Sequence, residues 1–331
     1  MSHPQPVSPP LDASTALLEA PVLAHVVRGG FVESVHHGSL VALAPDGSVE
    51  LARGSVTGPV FPRSSNKPLQ ALAMLRHGLR LAPELLALAC SSHSGEDFHL
   101  EGVRRILAGA GLTEGDLQNT PDFPYDAQEQ DRWRREGREK SSLAQNCSGK
   151  HAAMLATCVL NGWDTATYRD PGHPLQQAMQ QTLEDLAGEQ VAGQAVDGCG
   201  APVMAVSLTG LARAFGRLAA AEPGTHEREV ADAIRGNAAY LGGTRRDVTA
   251  LVEGTPGLIA KDGAEAVYAV GLADGRGVAL KVADGGQRAR PVILAAALRR
   301  LGVESAAYDV LEAAPVLGHG EPVGAVVAVG L

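Results

Sequence analysis

The chain has few aromatic residues: 5 Phe, 5 Tyr and 2 Trp among 331 positions. Apolar residues still make up 45% of it and charged residues 20%, which are ordinary values for a globular protein. A core must therefore be packed mainly with Ala, Val and Leu, whose small side chains let helices and strands approach closely. At this length the chain fits one large domain, or two that share an interface.

An excess of basic residues is also missing. The net charge is −9, and the densest basic stretch, residues 132–140, is interleaved with acids. Proteins that bind nucleic acid normally carry a basic patch or run. We therefore predict no nucleic-acid partner and no binding to an anionic membrane surface.

Long apolar runs are absent as well. No segment approaches the roughly 18 apolar residues that would cross a bilayer. Residues 1–20 lack the basic start and the apolar stretch of a signal peptide, and their prolines predict a flexible tail. These features predict a cytoplasmic protein without a membrane partner. Its four cysteines should then stay reduced, as core residues, metal ligands or reactive thiols.

Turn residues divide both ends of the chain into short apolar runs. Gly29-Gly30, Pro45-Asp46-Gly47 and Asp274-Gly275 each separate two such runs, as in antiparallel hairpins. The predicted strands are 22–27, 31–35, 40–43, 49–51, 267–272, 278–282 and 323–329. The predicted helices, all between these ends, are 68–77, 83–88, 98–110, 149–160, 174–187, 211–221 and 226–237.

Segregated strands and helices indicate an α+β fold, in which N- and C-terminal strands share one antiparallel sheet with helices packed on it. We predict one catalytic unit over residues 21–331. A sheet subdomain takes about 21–62 and 255–331, and a mostly helical subdomain takes about 63–254.

The first candidate for chemistry is Ser64, which precedes Lys67 in an S-x-x-K spacing. On a helix these two positions share a face. A neutral lysine amine can take the proton of a serine hydroxyl and turn it into a nucleophile. The ordinary lysine pKa of about 10.4 opposes this, and burial or a second cation would lower it.

A second serine, Ser92, lies in a run of small polar residues after an apolar segment. Part of this run can cap the helix that follows. Lys261 precedes a predicted strand and is followed by Gly263, although a lone lysine there can also be a surface residue. The order S-x-x-K, serine-rich turn, K-x-G is that of serine β-lactamases and penicillin-binding proteins.

Two cysteine-containing turns form another candidate site. Cys147 and Cys199 each lie next to glycines, with Lys150 and Asp197 nearby in sequence. Thiolates are good zinc ligands, but the spacing is not that of a zinc finger or ribbon. The alternative is that each cysteine is a small buried hydrophobe.

Taken together, these motifs resemble the asparaginase II family of the thermolabile, rhizobial type, also called class 3 asparaginases. The similarity runs from about residue 27 to 284. The matching segments, in family order, are Arg63-Ser64-x-x-Lys67-Pro68, Ser92-His93-Ser94-Gly95-Glu96-Asp97, Asn146-Cys147-Ser148-Gly149-Lys150-His151, Asp197-Gly198-Cys199 and Lys261-x-Gly263-Ala264 with Tyr268-Ala269-x-Gly271.

The resemblance implies a fold like that of serine β-lactamases and glutaminases. It implies two catalytic pairs, Ser64 with Lys67 and Ser92 with Lys261. It also implies a Zn²⁺ bound by Cys147, Lys150 and Cys199, and a homodimer. We assign Arg63, His93 and Asp197 to substrate binding, with a structural ion pair as the alternative role for Arg63.

The expected activity is hydrolysis of L-asparagine to L-aspartate and ammonia through an acyl-serine, with Ser64 favoured as the nucleophile by analogy with β-lactamases. Other small-molecule amides use the same parts, so a glutaminase is the first alternative. A β-lactam-binding enzyme and a zinc-stabilised, non-catalytic binding protein are the others.

Overall fold

A single antiparallel sheet forms the frame of the computed structural model, which describes residues 15–331. The strands of this sheet are β1 Val22–Arg28, β2 Phe31–Leu43, β3 Val49–Arg53, β7 Ile259–Gly263, β8 Val267–Gly271, β9 Gly277–Val282, β10 Pro315–Gly318 and β11 Glu321–Ala328. They run in the order β10-β11-β1-β2-β9-β8-β7, and β3 also pairs with β2.

Strand β2 joins the two ends of the chain. Its first half, Phe31–His37, pairs with β1, and its second half, Gly38–Leu43, pairs with β9. On the other side of β1, residues 24–28 pair with residues 324–328 of β11. The predicted α+β class, with N- and C-terminal strands in one antiparallel sheet, is confirmed.

The helices have the bounds α1 Thr15–Leu18, α2 Lys67–Arg76, α3 Pro83–Ala89, α4 Asp97–Gly109, α5 Ala127–Arg135, α6 Ser148–Asn161, α7 Pro174–Ala187, α8 Leu208–Ala219, α9 His226–Gly236, α10 Ala238–Leu241, α11 Asp247–Gly254, α12 Arg290–Arg300 and α13 Tyr308–Leu311. Helices α8 and α12 both pack on β8 and β9, so they cover the sheet from its two faces. The contact with α8 is close, because a Cβ on Gly277 would lie 1.9 Å from the Ala212 carbonyl oxygen. Small residues therefore bring the backbones together, as the composition predicts.

A small second sheet lies among the helices. Its strands are β4 Pro59–Val60, β5 Gly193–Val196 and β6 Pro202–Ser207, in the order β4-β6-β5. Residues 1–14 of the predicted tail lie outside the described residues, and Thr15–Leu18 of it form the short helix α1. The proposed division into subdomains stays a prediction. Within residues 15–331 no helix combines the length and the apolar character needed to cross a membrane.

Candidate active site

Ser64 lies on a 3₁₀ turn, Arg63–Asn66, that leads directly into α2. Arg63 has a φ of 53°, a left-handed conformation that costs a non-glycine residue energy and is often kept at functional sites. The end of β7 lies against this turn: a Cβ on Gly263 would be 2.6 Å from the Pro62 carbonyl oxygen. The glycine of the K-x-G motif therefore lets β7 approach the serine turn.

Lys67, the first residue of α2, is buried, and its amine makes three contacts at the centre of the site. Its Nζ donates to the Ser91 carbonyl at 2.5 Å and to Ser92 Oγ at 3.0 Å. A third contact, also 3.0 Å, goes to Cys147 Sγ. One amine thus connects the second candidate serine with the cysteine cluster, which the sequence alone treats as two separate sites.

The predicted pairing of serines and lysines differs from these contacts. Lys67 donates to Ser92, and Ser64 Oγ makes no hydrogen bond to any described residue, although its side chain is half-buried. Lys261 donates to Asp262 and not to Ser92. The direct pairs Ser64–Lys67 and Ser92–Lys261 are therefore absent from the described residues, and the catalytic roles of the four residues stay predictions.

Lys261 is fully buried on β7. Its Nζ donates to the Asp262 carbonyl at 2.7 Å and to Asp262 Oδ1 at 2.5 Å. Burial lowers the pKa of Lys261 to about 8, with the help of the nearby Lys67 and Arg246 charges and against the attraction of Asp262. A substantial fraction of this amine is therefore neutral near pH 8 and able to accept a proton.

Asp262 and Arg246 continue the site behind Lys261. Arg246 donates to Asp262 Oδ2 at 2.6 Å and to the Ser92 carbonyl at 3.3 Å. Burial acts to raise the pKa of Asp262, but Lys261 and Arg246 outweigh it and hold the pKa well below its ordinary value. Sequence reasoning missed both residues, although Asp262 adjoins Lys261 in the chain.

The cysteine cluster brings together the three residues assigned to zinc. Cys147 and Cys199 share one small buried cluster, and Lys150 Nζ donates to Cys199 Sγ at 3.3 Å. A hydrogen bond from Cys147 holds the pKa of Cys199 well below its ordinary value, and Lys150 adds to this effect against burial. Two buried cysteine sulfurs and a lysine amine therefore meet at one place.

The two cysteine sulfurs of this set suit Zn²⁺, which prefers thiolate and imidazole ligands in fourfold coordination. Among the described residues no three His, Cys, Asp or Glu side chains come together as a metal site. The cluster has three donor groups only when the Lys150 amine is included, and a lysine ligand must be neutral.

Arg63 and Asp197 form an ion pair beside the cluster. Arg63 donates through Nε to Asp197 Oδ1 at 2.8 Å, and a terminal guanidinium nitrogen lies 2.7 Å from the same oxygen. Burial opposes ionisation of Asp197, but Lys150 and Arg63 lower its pKa. The structural ion pair considered for Arg63 is therefore present, and a role in substrate binding stays a prediction for both residues.

His93, the third residue assigned to substrate binding, is fully buried. Its Nε2 lies 2.8 Å from Ser148 Oγ, and its ring stacks on His99 at 5.1 Å between centroids. Burial keeps the pKa of His93 well below its ordinary value, with help from His99 and Lys67. The histidine lies behind Ser92 and packs against the start of α6.

A cavity of about 420 Å³ opens beside the turn that carries Ser64. Its polar lining comes from Arg63, Glu265 and Lys281, and the rest is mostly apolar: Leu17, Pro59, Val60, Phe61, Ala192, Gly193 and Ala205. Arg63 is common to this cavity and to the ion pair with Asp197.

Comparison with known protein families shows which family the chain belongs to. A family model described as L-asparaginase II matches residues 24–328. The chain belongs to the L-asparaginase II family. The predicted resemblance is thereby confirmed. No curated protein matches the chain.

Several solved structures resemble this family member at low sequence identity. A structure of Mglu in 4.3 M NaCl has a TM-score of 0.43 at 14% identity, and the match covers 80% of this chain and 60% of the Mglu chain. A β-lactamase from Mycobacterium bovis has a TM-score of 0.42 at 14% identity, and the match covers 87% of this chain and 98% of the β-lactamase. EstCE1, a hydrolase with promiscuous acyltransferase activity, has a TM-score of 0.39 at 14% identity, and the match covers 82% of this chain and 91% of EstCE1. The chain thus spans less than two thirds of the length of the Mglu structure.

Proposed function

We propose that this protein is an amidohydrolase, namely an L-asparaginase that hydrolyses L-asparagine to L-aspartate and ammonia. The observation that carries the proposal is the buried Lys67 amine, which lies 3.0 Å from Ser92 Oγ and directly follows the turn of Ser64. A second buried lysine, Lys261, lies close enough for the charge of Lys67 to help lower its pKa. Membership of the L-asparaginase II family supports asparagine as the amide.

Catalysis begins at a serine hydroxyl. Ser64 Oγ attacks the side-chain amide carbon, and its proton passes to a neutral lysine amine. The C–N bond then breaks, nitrogen leaves as ammonia with the proton from the lysine, and an aspartyl ester remains on the serine. Water attacks this ester with the lysine as base, which frees aspartate and restores the serine.

The two serines take different parts in this proposal. Ser64 is the more accessible hydroxyl and lies next to the strained Arg63, which favours it as the attacking group. Ser92 already contacts Lys67 and is well placed to relay the proton. Lys67 and Lys261 are both buried here, and two like charges that are close together favour loss of one proton.

We also propose that Cys147, Lys150 and Cys199 hold a Zn²⁺. When bound, zinc supplies a Lewis acid that polarises a carbonyl oxygen, or a fixed link between its ligands. The fit of the buried sulfur and nitrogen donors supports this assignment.

A cytoplasmic location and a homodimer complete the proposal. The four cysteines form no disulfide in the structure, which supports a reducing compartment. Light scattering coupled to gel filtration measures the oligomeric state, and a monomer at working concentration would reject the homodimer.

Ammonia release by the purified protein tests the function. We expect release from L-asparagine at a higher kcat/KM than from L-glutamine. Ser64→Ala should lose on the order of 10⁶ in kcat, the usual effect of removing a serine nucleophile. Ser92→Ala should lose on the order of 10²–10⁴, the usual effect of removing a proton-transfer group. A preference for glutamine would support the glutaminase alternative. No ammonia from any amide would favour the non-catalytic alternative.

A further inference from the structure

A buried ion network lies behind Lys261 and includes Arg246, a residue outside the motifs that define the site. The carboxylate of Asp262 is shared, with Oδ1 at 2.5 Å from Lys261 Nζ and Oδ2 at 2.6 Å from Arg246. All three side chains are almost wholly excluded from solvent. Charges at such short range in a dry interior influence each other strongly.

Arg246 also reaches the serine side of the site. It donates to the Ser92 carbonyl at 3.3 Å, and the ring of Tyr125 lies 4.6 Å from the guanidinium carbon. The backbone of Ser92 is therefore fixed by the same side chain that binds Asp262. Lys67 donates to Ser92 Oγ, and Lys261 donates to Asp262. Arg246 therefore binds one hydrogen-bond partner of each lysine.

We propose that Arg246 is a positioning residue for amide hydrolysis: its guanidinium holds the Asp262 carboxylate against Lys261 and fixes Ser92 against Lys67. The inference rests on the proposed function, because that function assigns proton transfer to Lys261 and Ser92. Arg246 touches neither substrate nor reacting atoms in this assignment.

The charge on Arg246 matters because Asp262 by itself would keep Lys261 protonated. Four groups face Lys261: Asp262 beside it, Lys67 at the start of α2, Arg246 before α11, and Cys90 after α3. Burial makes the largest contribution to lowering the Lys261 pKa, Asp262 opposes it, and Lys67 and Arg246 support it. Loss of Arg246 removes one cation and leaves Asp262 more fully available to Lys261.

Removing Arg246 should still leave a folded protein. Arg290 lies 3.7 Å from Asp262 Oδ2 and remains as a second cation for this carboxylate. Arg290 is itself anchored to Asp247 at 3.2 Å. Asp262 is therefore not left as an isolated buried charge, the case in which destabilisation is severe.

The test compares Arg246→Met with Arg246→Lys in the full chain. The chain has only 5 lysines, so ¹⁵N NMR of Nζ-labelled lysine can follow Lys261, assigned by the loss of its signal in Lys261→Met. In Arg246→Met we expect the Lys261 titration to move up by about one pH unit or more. The pH profile of kcat/KM should move with it, and kcat should fall more than KM rises. In Arg246→Lys the midpoint of the Lys261 titration should lie close to its wild-type value.

Arg235→Met is the matched control. Arg235 is also partly buried and donates to the Gly257 and Ala219 carbonyls, away from the site. The substitution should lower the melting temperature without moving the midpoint of the Lys261 titration or that of the pH profile of kcat/KM. If Arg246→Met lowers stability but leaves the Lys261 titration unchanged, Arg246 is only structural and the inference is wrong. If the wild-type protein hydrolyses no amide, the NMR arm still tests the network, and only the proposed function fails.

Discussion

Lys67 illustrates how a single residue can connect two parts of a site. Its amine has three partners in the structure: the Ser91 carbonyl, Ser92 Oγ and Cys147 Sγ. The amine is therefore fixed in position. Any change at Ser92 or Cys147 should also change where Lys67 points.

The S-x-x-K pattern drew attention to Lys67 but did not predict its contacts. The argument assumed that Ser64 and Lys67 share one α-helical face. In the structure Ser64 lies on a 3₁₀ turn after a left-handed Arg63, and α2 begins only at Lys67. A local pattern cannot show that Ser92, 25 residues away, lies within reach of the same amine.

The lowered pKa of Lys261 predicts how the reaction depends on pH. Its pKa is about 8, so the neutral amine that accepts a proton becomes the major form as pH rises through 8. We expect kcat/KM on L-asparagine to rise with pH, with a midpoint near 8. Lys261→Arg keeps the charge but cannot give up its proton, and should lose on the order of 10²–10⁴ in kcat. A profile that is flat between about pH 7 and pH 9 would exclude Lys261 as the titrating base.

Covalent trapping separates the two serines. With Ser64 as the nucleophile, acid quenching during turnover should leave an aspartyl adduct on the peptide that contains Ser64, as seen by mass spectrometry. Ser92→Ala should turn over slowly but keep the adduct on that peptide, because only the proton relay is lost. An adduct on Ser92 in the wild-type protein would reverse the assignment.

At the scale of elements, the predicted helices between residues 68 and 237 agree with α2, α3, α4, α6, α7, α8 and α9. In α4, α7, α8 and α9 apolar and polar residues alternate at helical spacing, which a local pattern records. Helices α2, α3 and α6 are buried on nearly all sides and lack such a pattern. Helix α12, whose residues 292–298 are also nearly all apolar and buried, was not predicted. The small sheet was missed because β4, β5 and β6 are held by pairing between distant segments.

Gly149 tests the contact between the elements that carry the site. A Cβ at this position of α6 would lie 2.4 Å from the Leu88 carbonyl oxygen of α3. Gly149→Ala should push α6 away from the turn of Ser92, destabilise the fold by about 1–3 kcal/mol and lower kcat. Chemical denaturation and the ammonia assay measure the two effects.

Gly109 is the matched control, because it is an exposed helical glycine with nothing within 4 Å of an added Cβ. Gly109→Ala should stabilise the protein by up to about 1 kcal/mol, since alanine is the better helix former. If Gly149→Ala is as well tolerated as Gly109→Ala, α6 and α3 do not need their close contact.

Zinc, as proposed, would join two further elements. Cys147 is the residue before α6, and Cys199 lies in the turn between β5 and β6. We expect about one zinc per chain by mass spectrometry of the metal, and less than a tenth of that in Cys199→Ser, because half of the sulfur donors are lost. Removing the metal with a chelator should lower the melting temperature of the wild-type protein. Cys158→Ser, a buried cysteine away from the cluster, should keep the zinc content.

At the scale of the whole molecule, buried histidines couple folding to acid. His93, His99 and His151 are fully buried, and burial lowers the pKa of each below its ordinary value. The unfolded chain then binds protons that the folded chain does not. By linkage, stability must fall as the pH drops through the range where only the unfolded state takes up the proton.

His99 defines that range, because its pKa falls from 6.5 to about 4. Stability that is fully present above pH 6.5 should be lost progressively as pH falls from about 6.5 to about 4, by about 3 kcal/mol for this one group. In His99→Gln the amide can still donate to the Ala239 carbonyl, as the His99 ring does at 2.9 Å. The free energy of unfolding, measured with urea from pH 4 to pH 7, should therefore depend less steeply on pH in His99→Gln. His319→Asn, at an exposed position, should keep the wild-type slope. An equal slope in His99→Gln and wild type would mean that the acid sensitivity comes from other groups.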